Sequence, residues 1–249
     1  MIDLHSHVLP GLDDGAEDIE EAVEICRAAA SDGIEVLAGT PHVRYDHPTT
    51  AQQMENALAA LRDAAGDIVR LVGGGELDYG ELDRPEGELR QYALAGNPDY
   101  LLVETPYRGW PLELPERLYR LRTLGIVPVL AHPERNAEVQ QRPELLVPLV
   151  AGGTLVQLTA SSVDGRGGKR AQACVGTLLE GNLVHLIASD AHAPAVRAIG
   201  MRSAAAALRD EPLARWLTVH VPRAIVEREP MPPRPHRVRP RRRLFGRRS

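Results

Sequence analysis

Residues 1–18 read MIDLHSHVLPGLDDGAED. MIDLHSH is a short apolar run ending in polar residues, the signature of a strand whose end carries side chains for a site. His5 and His7 stand two apart, and extended backbone points such a pair the same way. The following LPGLDDGAED is dense in turn residues, so Asp13 and Asp14 read equally well as turn formers and as ligands.

The same arrangement recurs along the chain. IEVLAGTPH (34–42) is a second strand ending in His42, and IVRLVGGGE (68–76) a third ending in Glu76. DYLLVETP (99–106) runs into Glu104, IVPVLAHPER (126–135) ends in His132, TLVQLTA (154–160) is a sixth strand, and LVHLIASDAH (183–192) ends in Asp190 and His192. Amphipathic helical stretches separate them: 17–31 with Ile19, Val23 and Cys26 on one face, a helix begun by Pro48 with Met54, Leu58 and Leu61, and 115–124 with Leu118, Leu121 and Leu124. Others start at Pro143, span 169–181, and close the body at roughly 195–209 and 212–217. Strand and helix alternate, so the fold class is α/β with a parallel sheet. Seven alternations fit a barrel better than a two-layer fold. The glycines at 73–75 end in an acid and open no helix, which excludes a dinucleotide-binding fingerprint.

In a β/α barrel the strand ends converge on one face, where active sites are built. His5, His7, His42, His132 and His192, with Glu76, Glu104 and Asp190, are too many ligands for one tetrahedral ion. They suit a two- or three-metal centre, and mixed imidazole and carboxylate donors suit Mn, Fe or Zn. Arg135 and Arg197 lie in loops near that face, and a guanidinium matches phosphate oxygens bidentately. Arg44 and Arg108 are further arginines of this kind. His47, His185 and His220 stand outside the pattern. Neither cysteine precedes a phosphate-cradling loop and no Gly-x-Ser-x-Gly elbow is present, which leaves metal-activated water as the nucleophile.

Composition narrows the class. Aromatics are only 4% of 249 residues, and the one phenylalanine, Phe245, lies in the tail, so a base-stacking surface is not expected. Residues 1–233 hold 34 acids against 21 bases, a formal −13, and such a body repels nucleic acid and bare membrane. Cys26 and Cys174 read as reduced core residues. With no signal peptide or apolar run of membrane-spanning length in evidence, work in the cytoplasm is expected. Residues 229–249 form a Pro- and Arg-rich tail read as disordered, beyond a domain of residues 1–228 that is expected to fold without it. Its charge suits weak contact with an anionic membrane, the acidic body of a neighbouring subunit in a homo-oligomer, or nucleic acid, and a neutral extension is the bland reading.

The motifs MIDLHSHVLPGLDDGAED, GTPH, GGGEL, LVE, AHPERN, QLTA and ASDAH, in this order from Met1 to about Glu227, resemble the polymerase and histidinol phosphatase (PHP) superfamily. More narrowly, they look like its bacterial capsule-associated tyrosine-protein phosphatases. The resemblance implies a distorted seven-stranded TIM-like (β/α)7 barrel with three divalent metal ions, most often manganese. It implies one ion among His5, His7, Glu76 and Asp190, a second among Glu76, Glu104 and His132, and a third among Asp14, His42 and His192, with Arg135 and Arg197 on the phosphate. It also implies a substrate: the phosphotyrosine tail of a membrane-associated tyrosine kinase that controls capsule or exopolysaccharide export. Ala193 stands where the pattern usually has Asn, and the arginine-rich tail is outside it. A small-molecule phosphatase acting on histidinol phosphate or a sugar phosphate is the alternative from the same superfamily. A regulator that has lost its chemistry is disfavoured, because every expected ligand is present.

Overall fold

Ile2–Ser6 (β1) is buried at every position, with Ile2 and Leu4 in the apolar core and Asp3 and His5 on the opposite face. That double burial is what a parallel strand between helices and a barrel interior requires. The computed structural model describes residues 1–193 and 199–235. Helix α1 (Ile19–Ser31) starts at Asp18, whose side chain accepts the Glu21 N–H, and buries Val23, Ile25 and Cys26. Strands β2 (Val36–Gly39) and β3 (His42–Arg44) follow, then β4 (His47–Pro48), which turns back antiparallel on β3. Helix α2 (Ala51–Ala65) opens on a capping box between Thr50 and Gln53. Next come β5 (Arg70–Gly73), β6 (Glu76–Asp78), the short α3 (Glu86–Leu89), β7 (Tyr100–Glu104), α4 (Leu114–Thr123) and β8 (Val127–Leu130). Helices α5 (Ala137–Gln141) and α6 (Val147–Ala151) lead to β9 (Leu155–Thr159), α7 (Ala160–Asp164), α8 (Lys169–Glu180) and β10 (Leu186–Ala188). The described chain ends with α9 (Met201–Ala207), α10 (Glu211–Arg215) and, after one π turn, α11 (Val221–Glu227).

The parallel strands pair in two runs, β1-β2-β5 and β10-β9-β8-β7-β6-β3. The runs are one curled surface, because two of the seven strands expected from the sequence are each broken in two. The second strand breaks at Thr40–Pro41 into β2 and β3, and the third at Gly74–Gly75 into β5 and β6. Pro41 brings no N–H to a ladder. Gly74 passes so close to the Leu94 backbone that a Cβ would sit 3.1 Å from its Cα. Beyond both breaks the partners resume, His42 opposite Glu76. The surface closes between its first and last strands: Ser6 bridges Ala191, the Asp190 N–H donates to His5 O at 2.9 Å, and the His7 N–H to Ala191 O at 2.8 Å. The expected distorted seven-stranded β/α barrel is therefore present.

The last elements tie the tail's first residues to the body. Residues 229–235 form no helix or strand. Yet the Trp216 indole N–H donates to Pro232 O at 3.1 Å, the Arg234 guanidinium lies 5.0 Å from the Trp216 ring centre, and it donates to Val184 O at 2.5 Å. Composition, which marks residues 229–249 as a Pro- and Arg-rich tail, does not reveal these contacts, because the partners are backbone carbonyls and a ring. The remainder of the basic tail, 236–249, lies outside the described residues. A chain ending at Arg228 should melt below one ending at Pro235. Loss of these two hydrogen bonds and one cation–π contact costs about 1.5–4 kcal/mol, or roughly 3–16 °C for a domain of this size. Equal melting temperatures by circular dichroism would show that these contacts contribute nothing net.

Candidate metal centre

Nine side chains converge at the end of the barrel where the strands finish: His5, His7, Asp14, His42, Glu76, Glu104, His132, Asp190 and His192. All but Asp14 are almost fully buried. Their ligand atoms form overlapping groups, each within 4.8 Å: His7, Asp14, His42 and His192; His5, His7 and Asp190; His5, Glu76 and His132; His42, Glu76 and Glu104. These are the nine residues read from the sequence. Arg135 joins them, while Arg197 lies outside the described residues.

The local backbone explains the convergence. His5 is the penultimate residue of β1 and His7 directly follows the strand, and their Nε2 atoms lie 3.3 Å apart. The 8–18 loop folds back over His7, with Ala16 N–H donating to His7 O. Gly15 is required there, because a Cβ would come within 2.1 Å of that carbonyl oxygen. The two adjacent aspartates thereby take different roles. Asp13 accepts the Gly15 and His42 backbone N–H groups at 2.9 Å and holds His7 Nδ1 at 2.6 Å, while Asp14 reaches 3.3 Å from His192 Nε2 and 3.6 Å from His42 Nε2. Asp13 orients the His7 ring, a candidate ligand, as a carboxylate does behind a metal-bound imidazole. The turn reading concealed that role, since a turn aspartate and an orienting one look alike in sequence.

His132 and Asp190 both sit at positive φ, 32° and 53°. Such conformations cost of order 1–3 kcal/mol for a non-glycine residue and gather at functional sites. Asp190 and His192 therefore converge through a left-handed turn, and not by the extended alternation expected from their spacing. His192 Nδ1 donates to Asp190 O at 2.9 Å, which leaves its Nε2 turned toward Asp14.

Glu76 is the hub. Its Oε1 lies 2.9 Å from His132 Nε2, and its Oε2 lies 2.9 Å from His42 Nδ1, 3.3 Å from His5 Nε2 and 3.4 Å from His7 Nε2. Despite the 2.9 Å approach, Glu76 Oε2 and His42 Nδ1 are misaligned, and both are buried without a hydrogen bond. Donor atoms that converge without bonding one another are the arrangement that fits shared cations, and the histidine and carboxylate set suits first-row divalent ions.

Electrostatics follow the packing. Burial disfavours the charged His5 ring, but the Glu76 and Asp190 carboxylates outweigh it and raise its pKa to about 9. His7, equally buried, is held well above the ordinary imidazole value by Asp13, Asp190 and Glu76. Burial opposes ionisation of Glu76, yet His5 and His42 keep its carboxyl well below the usual range. Burial and the neighbouring Glu76 push Glu104 upward.

Arg135 stands at the rim. It bonds Asp190 through Nη1 and lies 5.0 Å from the Tyr107 ring centre, and that ring in turn stacks on His132 at 6.1 Å. Arg44 donates to Glu104 Oε2 at 3.2 Å and pairs with Asp46, whereas Arg108 is exposed. Tyr107 was not singled out in the sequence, because nothing in its spacing marks it. His47, set aside there, stacks on His42 at 5.8 Å.

Residues 1–226 match the family described as capsular polysaccharide synthesis, CpsB/CapC. Over 203 residues the chain is 37% identical to the tyrosine-protein phosphatase YwqE of Bacillus subtilis, a match covering 77% of each chain. It is 32% identical over 198 residues to the putative tyrosine-protein phosphatase CapC of Staphylococcus aureus, again covering 77% of each. A solved structure from work on YwqE of Bacillus subtilis and CpsB of Streptococcus pneumoniae, described as metal-dependent tyrosine phosphatases, superimposes with a TM-score of 0.84 at 29% identity. That match covers 95% of this chain and all of the other. A probable 2-pyrone-4,6-dicarboxylic acid hydrolase from Acinetobacter baumannii shares the fold alone, with a TM-score of 0.51 at 16% identity over 91% of this chain and 98% of that one.

The raised histidines make metal binding pH-dependent. A ligating imidazole must give up its Nε2 proton, and without an ion His5 keeps its proton up to about pH 9. Divalent metal should therefore displace protons at neutral pH. Its apparent affinity should rise with pH toward about 9, by about tenfold per unit for each proton released, and then level off. Calorimetry in buffers of different ionisation enthalpy checks this, and heats independent of buffer at pH 7 would contradict it.

Proposed function

This chain belongs to the CpsB/CapC family of capsular polysaccharide synthesis, and from that premise we propose that it is a metal-dependent protein-tyrosine phosphatase. The observation that carries the reading is the gathering of nine ligand-type side chains, eight of them buried and Asp14 exposed, into overlapping groups that share His5, His7, His42 and Glu76, with Arg135 beside them. The proposed assignment gives one ion to His5, His7, Glu76 and Asp190, a second to Glu76, Glu104 and His132, and a third to Asp14, His42 and His192. Manganese is the proposed metal, with iron or zinc as competent substitutes. When bound, such ions supply Lewis acidity toward phosphoryl oxygens and activation of water.

The chain's own residues supply the rest. Arg135 engages Asp190 through one nitrogen, so further N–H donors of its fork are available for a phosphate oxygen. Its contact with Tyr107 fixes where that fork points. Arg197 is proposed as the second phosphate ligand. The Asp13 bond to His7 and the Asp190 carbonyl bond to His192 hold both rings with Nε2 toward the centre. Around the mouth, the β3–β4 turn exposes Tyr45 and the loop after β7 exposes Leu112, at 97% and 91%. Apolar side chains so placed suit a polypeptide flanking the phosphotyrosine better than a small polar phosphate ester. The proposed partner is the phosphotyrosine tail of a membrane-associated tyrosine kinase, and the proposed location is the cytoplasm. Among the described residues no helix is long and apolar enough to cross a membrane.

The test strips the protein with a chelator and measures phosphate release, then adds Mn and compares phosphotyrosine peptides with histidinol phosphate and sugar phosphates. Activity should vanish without metal, return with Mn, and favour the peptides. Full activity in metal-free protein would refute metal dependence, and preference for histidinol phosphate or a sugar phosphate would move the assignment to a small-molecule phosphatase. Arg135→Ala should lower kcat/KM by about 10²-fold or more with metal content unchanged. Wild-type kcat/KM in that variant would reduce Arg135 to a structural partner of Asp190.

A further inference from the structure

Strand β9 carries the motif QLTA, yet it contributes no ligand to the centre. Gln157 lies in its middle and is fully buried. Its Oε1 is 3.0 Å from His5 Nδ1 and 3.3 Å from the backbone nitrogen of His132. A backbone N–H can only donate, so the amide atom facing His132 is the oxygen, and this fixes the orientation of the Gln157 amide. That oxygen can only accept, so His5 Nδ1 carries the proton that faces it. His5 is thereby left to offer Nε2, the atom that lies 3.3 Å from Glu76 Oε2, 3.6 Å from Asp190 Oδ1 and 3.3 Å from His7 Nε2.

The second bond acts on a different strand. His132 follows β8 at φ 32°, beyond the last ladder bond, Ala131 N–H to Val103 O. Its own N–H would be buried and unpaired without Gln157 Oε1, at a cost that would favour release of the left-handed conformation. Gln157 Nε2 has no hydrogen-bond partner, so the side chain's role falls on its oxygen.

We propose that Gln157 is a positioning residue of the metal centre: one amide oxygen on the sixth barrel strand sets His5 of the first strand as an Nε2 ligand and holds His132 of the fifth in register with it. This rests on the metal-centre reading and is independent of which phosphate ester is hydrolysed.

The test uses the full chain. Calorimetric titration of the metal-free protein with Mn2+, with bound metal per chain by elemental analysis, compares wild type with Gln157→Leu and Gln157→Glu. Leucine keeps the bulk and removes the acceptor, and glutamate keeps the acceptor at the same reach. Gln157→Leu should bind Mn2+ about 10–100-fold more weakly, the usual cost of removing a group that orients a metal-bound histidine. Gln157→Glu should restore wild-type affinity or tighter. Wild-type affinity and stoichiometry in a folded Gln157→Leu protein would overturn the proposal, and so would a Gln157→Glu protein as weak as the leucine variant. Should the leucine variant fail to fold, nitrogen NMR of the wild-type protein loaded with Zn2+ decides. His5 should show a protonated Nδ1 and a coordinated Nε2, and coordination through Nδ1 would overturn the proposal. Failure of the wild-type protein to bind metal would instead refute the metal-centre reading beneath it.

Discussion

Glu76 places one buried carboxylate within 3.4 Å of imidazole nitrogens from four histidines, in a cluster that also buries Glu104 and Asp190. Burying ionised groups costs several kcal/mol each unless opposite charge and hydrogen bonds compensate. In this barrel the compensation is supplied by protons on the histidines or by cations among them, and the rest of the molecule is arranged so that one or the other is always within reach. Register is kept across the breaks at Thr40–Pro41 and Gly74–Gly75, so that His42 stands opposite Glu76 as Val36 stands opposite Arg70 and Gly39 opposite Gly73. The left-handed turns at His132 and Asp190 bring two further strands' ligands over the same point.

Such a cluster functions only if each ring presents the correct nitrogen. Three rings are fixed by three different acceptors: a carboxylate for His7, a backbone carbonyl for His192 and an amide oxygen for His5. Each acceptor comes from a separate part of the chain: the 8–18 loop, the turn after β10, and β9. Barrel closure is therefore inseparable from the chemistry, since the bonds that join β1 to the segment after β10 also place His5, His7, Asp190 and His192.

The opposite end of the barrel has its own organisation. Val184 and His185 precede β10, and there Trp216 and Arg234 hold the start of the tail. Arg234 and burial together depress the His185 pKa to about 4, so this histidine stays neutral and its Nδ1 accepts the Val156 N–H at 3.1 Å. Burial is the larger influence. The described part of the tail, which ends at Pro235, thus starts at the end of the barrel away from the candidate metal cluster.

The strand count, the α/β class and eight candidate ligands were legible in the sequence, because ligand-type residues recur at the ends of apolar runs and a barrel gathers those ends, while Asp14 entered only through the family resemblance. Spacing failed where backbone leaves regular geometry. It placed Asp190 and His192 on one extended face, whereas a left-handed residue joins them, and it left Asp13 undecided between turn and ligand when it serves as the turn residue that orients His7. Tyr107 carried no signal and Gln157 stood only within the motif QLTA with no role of its own, since an aromatic in a loop and a glutamine in a strand are ordinary anywhere, and both matter through contacts more than twenty residues away. The sequence by itself determined which donors exist and which strand delivers each, because side-chain chemistry and hydrophobic periodicity are local properties. Only the tertiary structure decided which nitrogen each histidine offers and which carboxylate lies at the centre, because hydrogen bonds between distant strands set those choices within tenths of an ångström.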